Sequence, residues 1–236
     1  MNHKGHEGFT KDHEDTRDIL QQIDLSAVRA ESDDLAVHEL VEAARQYQVH
    51  LVTVLPSQTM LARRLLGEAS EVRLGGNVGF PSGGQTTAIK AAEARELIDL
   101  GCDELDMVIN LAALLSRRLV DVREDIVAVV ASAQGRPLKV ILECHYLDEA
   151  QVRQACNLAI DAGARFVKTG TGWAPTGATL ANVALIKAHV GDRIGIKAAG
   201  GIRDLGTLLQ MRQLGASRFG LSLRSGRPIL DALRAV

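Results

Sequence analysis

The chain has 236 residues, 46% of them hydrophobic, and carries 27 basic against 29 acidic side chains for a formal charge of −2. That length is enough for one full α/β barrel or one to two smaller domains around a sizeable core. So even a charge balance gives no electrostatic footprint for nucleic acid or an anionic membrane, which leaves small molecules as the expected partners. Cys102, Cys144 and Cys156 are an odd number at irregular spacing with no CxxC pair, which argues against a disulfide framework or a zinc knuckle. The sequence has neither a long apolar run of membrane-spanning length nor the order of a signal peptide, so a cytoplasmic location is expected.

Residues 1–17 are polar, include His3, His6 and His13, and lack a hydrophobic period, which predicts a flexible, solvated N-terminal tail. From residue 18 to 236 one rhythm recurs about eight times: a β-branched apolar run, a glycine-rich or polar turn, then a helix-period stretch rich in Ala, Leu and Glu. Strands are predicted over 19–25, 50–55, 76–80, 104–110, 138–144, 165–169, 193–198 and 218–221. Helices are predicted between and after them over 35–47, 57–66, 86–100, 120–133, 148–162, 179–190, 205–214 and 228–233. Alternation of this kind implies parallel pairing through right-handed crossovers. Eight units in one domain without an internal linker suit a single closed (β/α)8 TIM barrel better than an open doubly wound sheet.

In such barrels the chemistry gathers at the C-terminal ends of the strands. Three residues stand out there: Asp106 on the fourth strand, Lys168 closing the sixth and Lys197 closing the seventh. A lysine ending an apolar strand is costly to bury, and two on adjacent strands repel each other. Two ammonium groups about 4 Å apart at an effective dielectric of about 20 repel by about 4 kcal/mol, enough to lower one pKa by about 3 units. That is what an amine nucleophile needs, because an ordinary lysine is neutral in only about four molecules in ten thousand at pH 7. The alternative is that both lysines snorkel to solvent at the rim.

Two segments, Phe166-Val-Lys-Thr-Gly-Thr-Gly172 and Ile196-Lys-Ala-Ala-Gly-Gly-Ile-Arg203, resemble the lysine signatures of the deoxyribose-phosphate aldolase family. Gly79-Phe-Pro-Ser-Gly83, Asp103-Glu-Leu-Asp106 and Leu138-Lys-Val-Ile-Leu-Glu143 follow that family's pattern in the same order, so the resemblance spans most of the chain. It implies a metal-free and cofactor-free class I aldolase and a homodimer. In that reading Lys168 forms an imine with the substrate, Lys197 lowers its pKa, and Asp106 joins a proton relay through ordered water. For Asp106 a charge-balancing role beside a lysine stands next to the catalytic one. Asp24 and Lys139 are supporting residues, and strand alternation sets Lys139 on one face with Glu143, where an ion pair is expected.

For the phosphate end of a sugar-phosphate substrate the candidates are Gly172, Gly200, Gly201, Ser222 and Arg224. Gly200-Gly201 opens onto a predicted helix whose amides can hold an anion, although the glycines also suit a tight turn. The family's eighth strand usually ends in a Gly-Thr-Ser-Ser-Gly-like loop, whereas this chain has Gly220-Leu-Ser-Leu-Arg-Ser-Gly226. Either Arg224 takes over anion recognition or the substrate differs. Other departures are Asp24-Leu-Ser26, Leu55, Gly170 in place of a usual Ser, and Trp173, which either walls the pocket or merely packs. Cys144-His145 is set aside as a dyad because neighbouring strand residues point to opposite faces. His38 and His189 lack a partner at i+4, and Gly75-Gly76 and Gly83-Gly84 read as turns.

The expected reaction is reversible cleavage of 2-deoxy-D-ribose 5-phosphate to acetaldehyde and glyceraldehyde 3-phosphate. Its rivals are a Schiff-base aldolase or dehydratase for an unphosphorylated or carboxylated carbonyl compound, and a sugar-phosphate-binding barrel without turnover.

Overall fold

The computed structural model of the chain describes residues 16–235. Strands β1 (Ile23–Ala27), β2 (Leu51–Val54), β3 (Arg73–Val78), β4 (Glu104–Val108), β5 (Leu138–Ile141), β6 (Phe166–Lys168), β7 (Gly195–Ala199) and β8 (Arg218–Ser222) are all parallel. They close into a barrel in sequence order, with β1 pairing to both β2 and β8. Around it run α1 (Asp34–Tyr47), α2 (Thr59–Leu66), α3 (Thr87–Asp99), α4 (Leu111–Leu115), α5 (Leu119–Ser132), α6 (Glu149–Asp161), α7 (Leu180–Val190), α8 (Leu205–Gln213) and α9 (Leu223–Arg234). The expected (β/α)8 barrel is therefore the observed one.

Period-two alternation sorts each strand between two environments. Leu25, Val52, Leu74, Leu105, Val140, Val167, Ile196 and Phe219 are buried in the apolar layer that joins strands to helices. The other face of the strands carries Asp24, Thr53, Asn77, Glu104, Asp106, Lys139, Lys168, Lys197 and Arg218, all buried. Barrels of this class usually fill that interior with branched aliphatic residues. Here stability rests on the outer layer, and the interior holds charge.

Several boundaries differ from expectation for local reasons. The first predicted strand begins too early, because 16–20 is helical and Gln22 N–H bonds back to the Ile19 carbonyl (2.9 Å), so Ile19 and Leu20 enter the core as helical residues. The expected tail, 1–17, lies outside the described residues except for 16 and 17, which begin that helical turn. Gly75 and Gly76 form no turn and lie within β3. A Cβ on Gly75 would stand 2.9 Å from Leu51 Cδ2, and one on Gly76 2.9 Å from Leu105 Cδ2, so both glycines serve close packing. The last helix starts five residues earlier than predicted and carries Pro228 inside it; the Ser222 hydroxyl accepts from Ser225 N–H and caps its start.

One buried pair outside the barrel interior ties the helix layer to the mouth. Lys90 Nζ on α3 donates to Asp125 Oδ2 on α5 (2.6 Å) and to the Val108 carbonyl that ends β4 (3.0 Å). Burial pushes the Lys90 pKa down, against the pull of Asp125. Asp125→Ala leaves a buried ammonium without its counter-charge, and urea unfolding should show a loss of about 3–5 kcal/mol. The apolar pair Lys90→Met with Asp125→Leu should recover most of it.

Candidate active site

The buried charges form one continuous stack inside the barrel. At its lower end Glu104 Oε1 meets His50 Nε2 (3.0 Å) and Arg73 Nη1 (3.4 Å), while Glu104 Oε2 meets Arg218 Nη1 (3.4 Å) and Lys139 Nζ (2.7 Å). Arg218 Nη1 also donates to Asp24 Oδ1 (2.9 Å), and Asp24 Oδ2 lies 2.6 Å from Lys197 Nζ. Asp106 takes the upper position: Oδ1 accepts from Lys139 (2.8 Å), and Oδ2 accepts from both Lys168 and Lys197 (2.8 Å each).

Among the described residues, Asp24, Glu104 and Asp106 are three buried carboxylates facing four buried cations, Lys139, Lys168, Lys197 and Arg218. One cation is in excess, and contact decides which. Lys139 and Lys197 each touch two carboxylates, Arg218 touches two, and Lys168 touches only Asp106 through an oxygen it shares with Lys197. Lys168 is accordingly the amine whose pKa falls, to about 8. Burial is the largest cause, the charge of Lys197 adds to it, and Asp106 opposes both. Sequence reasoning credited Lys197 with that shift, whereas desolvation contributes more. Asp106 behaves oppositely: burial alone would raise its pKa, but Lys139, Lys168 and Lys197 outweigh burial and hold the carboxyl well below its usual range. The resting site thus pairs an ionised acceptor with an amine that readily gives up its proton.

Lys139 does not pair with Glu143 as expected, because its amine is taken by Glu104 and Asp106. Glu143 sits past the end of β5 in the left-handed region (φ 54°) and turns its carboxylate to the loop after β6. It accepts from Thr171 N–H (3.1 Å) and from the Thr171 hydroxyl. Gly170 belongs to the same arrangement, since a Cβ there would stand 2.8 Å from Glu143 Oε1. His145 bonds to Thr176 Oγ1 (2.7 Å), while burial pushes the Cys144 thiol up to about 12, so the two form no nucleophilic dyad.

Above Lys168 and Lys197 opens a cavity of about 580 Å³, the size of small-molecule sites. Gly172, Gly200, Gly201, Ser222 and Arg224 all line it, as the sequence led one to expect, and so does Asp24. Gly172, Gly200 and Gly201 have φ of 83°, 86° and 93°, backbone conformations that favour glycine. Leu221 and Leu223 are not part of its wall; Leu221 packs outward, within 3.3 Å of where a Cβ on Gly226 would lie. Sequence reasoning missed Arg29, Thr53, Asn77 and Arg203 in the wall, and Glu104 and Arg218 beneath it. Glu104 was within reach of the alternation rule, two residues before Asp106 on one strand. A second cavity, about 470 Å³, lies by Gln21, Gln48 and the 66–72 segment and contains no lysine, so it holds none of this chemistry.

Residues 15–231 match the model of the DeoC/LacD family aldolases. The chain belongs to that family. It is 47% identical over 211 residues to the deoxyribose-phosphate aldolase of Klebsiella pneumoniae, covering 89% of this chain and 85% of that protein. It is 41% identical to the enzyme of the same name from Halalkalibacterium halodurans, covering 88% and 93%. Among solved structures, an aldolase called QR15 superposes with a TM-score of 0.87 at 36% identity, covering 92% and 96%. The family places this fold and this lysine-rich interior among the aldolases, which are carbon–carbon lyases.

With a pKa of about 8, roughly one Lys168 in ten is neutral at pH 7. Single-turnover imine formation with acetaldehyde should speed up about tenfold per unit below pH 8 and level off above it. The stability sign follows from linkage. Between pH 8 and the ordinary 10.5 the unfolded chain keeps a proton that folded Lys168 has lost, so this group makes stability rise with pH across that window. Above about pH 9 the three buried thiols, pushed up to about 12, act in the opposite sense and do so in both proteins. The difference in urea midpoint between the native protein and Lys168→Met should therefore shift in favour of the native protein from pH 8 to 10.5.

Proposed function

We propose that this chain reversibly cleaves 2-deoxy-D-ribose 5-phosphate into acetaldehyde and glyceraldehyde 3-phosphate through an imine at Lys168. The observation that carries the reading is the excess buried cation, a lysine with one shared carboxylate and a lowered pKa at the floor of a substrate-sized cavity. The names of the aldolase relatives, and the share of each chain that is matched, support the substrate.

Neutral Lys168 attacks the aldehyde carbon of the open-chain sugar; the carbinolamine hydroxyl then takes up a proton, relayed by Asp106, and leaves as water to give a protonated imine. The C3 hydroxyl then gives up its proton, the C2–C3 bond breaks, and its electron pair flows into the iminium to form an enamine as glyceraldehyde 3-phosphate leaves. Protonation of the enamine carbon and hydrolysis release acetaldehyde and the free amine. The iminium is the electron sink throughout, so the scheme calls for no metal or cofactor. Asp106 acts as acceptor and carrier for protons in these transfers, and Lys197 both orients Asp106 and disfavours the charged form of Lys168. Asp24 and Lys139 hold Lys197 and Asp106 in register. Gly172, Gly200, Gly201, Ser222 and Arg224 receive the phosphate. Leu221 packs outward, so it does not obstruct the wall that would receive a phosphate.

Residues 18–236 would form the catalytic unit, with 1–17 an extension to it, in a cytoplasmic homodimer. No helix among the described residues is long and apolar enough to cross a membrane. Exposed Leu115, Val120 and Val127 on α4 and α5 are the kind of surface that a second copy covers, and sedimentation as a two-chain species tests that.

Borohydride reduction in the presence of deoxyribose 5-phosphate should leave a mass adduct on the Lys168 peptide that is absent in Lys168→Ala. Turnover should fall by on the order of 10⁴ or more in Lys168→Ala and by about 10²–10⁴ in Asp106→Asn. Folded protein that traps no carbonyl compound on Lys168 would sink the imine reading.

A further inference from the structure

Three arginines, Arg29, Arg203 and Arg224, line the cavity, and one of them is held in place by the chain's single tryptophan. The Arg29 guanidinium carbon lies 4.7 Å from the centre of the Trp173 ring. The ring itself is fixed from several sides. Its Nε1 donates to the Val28 carbonyl (2.9 Å), its backbone N–H donates to Thr171 Oγ1 (3.0 Å), and Phe80 meets it edge-on at 6.1 Å. Thr171 is in turn fixed by Glu143. A line of contacts therefore runs from a buried carboxylate to an arginine at the mouth.

Among the described residues that arginine has no strong partner of its own. Its Nε is 3.7 Å from Glu31 Oε1, an exposed pair of the kind that contributes little, and its Nη1 reaches the Gly172 carbonyl only at 3.5 Å. Gly172 packs directly on Gly200, with its N and Cα 3.4 Å from where a Cβ on Gly200 would lie. The guanidinium thus sits beside the glycine turns expected to receive the phosphate, on the loop after β1, the strand that neighbours β8. Stacking on an aromatic face leaves the in-plane N–H groups free and lowers the entropy cost of using them.

We propose that Arg29, carried on Trp173 as its positioning platform, is a specificity-determining residue that grips the phosphate monoester of the substrate from the β1 side of the mouth. The proposal rests on the deoxyribose-phosphate reading, and its test separates the two. Kinetics are measured with 2-deoxyribose 5-phosphate and with unphosphorylated 2-deoxyribose. Arg29→Met should raise KM for the phosphorylated sugar about tenfold while leaving its kcat within about twofold and kcat/KM for the unphosphorylated sugar unchanged. Arg29→Lys should recover part of the loss. Trp173→Leu should show a smaller rise with the same selectivity, and Trp173→Phe, which keeps an aromatic face but loses the bond to the Val28 carbonyl, should fall between Trp173→Leu and the native protein.

Because Trp173 is the only tryptophan, its emission reports on this rim alone. Titration with inorganic phosphate should shift it in the native protein and not in Arg29→Met. Equal losses on both sugars, or none on either, overturn the proposal. If the native enzyme cleaves neither sugar, the substrate reading fails, and the phosphate titration decides on Arg29: a shift abolished by Arg29→Met supports it, and no shift overturns it.

Discussion

The carboxylate of Asp106, shared among three lysines, is the interaction on which the rest of the site depends. Two of its neighbours have a second carboxylate and the third does not. Continuum intuition says that a fully buried ion cluster is poor stabilisation, since desolvation of each ion offsets most of the attraction. Here the cluster is also one negative charge short. A cluster in deficit holds its protons less tightly, and the proton it releases most easily belongs to the group with the weakest compensation. The reactive amine is thus a consequence of counting and contact, with burial as the larger force and the second lysine as the smaller one.

Such an interior is tolerable only if the fold gets its stability elsewhere. Each strand presents alternate residues to the helix layer, and those positions, from Leu25 on β1 to Phe219 on β8, are apolar and buried. The opposite face is thereby released from the task of making a core. The same geometry supplies the positional accuracy that the chemistry needs. Lys168 and Lys197 are directly paired in register on neighbouring strands, and Asp106 and Lys139 likewise, so their amines meet one carboxylate without help from mobile loops.

How much of this was legible beforehand varied with the kind of signal. The eight βα units and the lysines ending two apolar runs followed from periodicity, because strand ends are where burial of charge is least expected. Partner choice was not legible. Lys139 and Glu143 are four apart and share a strand face in an ideal extension, but the backbone turns left-handed at Glu143 and sends its carboxylate to another loop. Gly75-Gly76 misled for a related reason: the composition of a turn and of a tightly packed strand is the same, and only the neighbours Leu51 and Leu105 distinguish them. Ile19 and Leu20 read as strand because an apolar pair carries no period, and the early start of α9 was hidden by Pro228, which suggests a first turn wherever it occurs.

Depth separates what the site does from what it selects. The amine, its acceptor and the second lysine sit on strands, shielded from solvent and strongly coupled. Arg29, Arg203 and Arg224 are exposed at the mouth, on loops or a helix start, where water and salt screen charges beyond about 8 Å. Exchanging a rim arginine therefore changes what is held without much changing the proton affinity of Lys168 below. The departures from the family pattern fall accordingly: Leu221 faces the helix layer, Gly170 makes room for Glu143, and Trp173 supports a rim cation. None of them touches the carboxylate that the three lysines share, so variation at the mouth is compatible with an unchanged reaction at the floor.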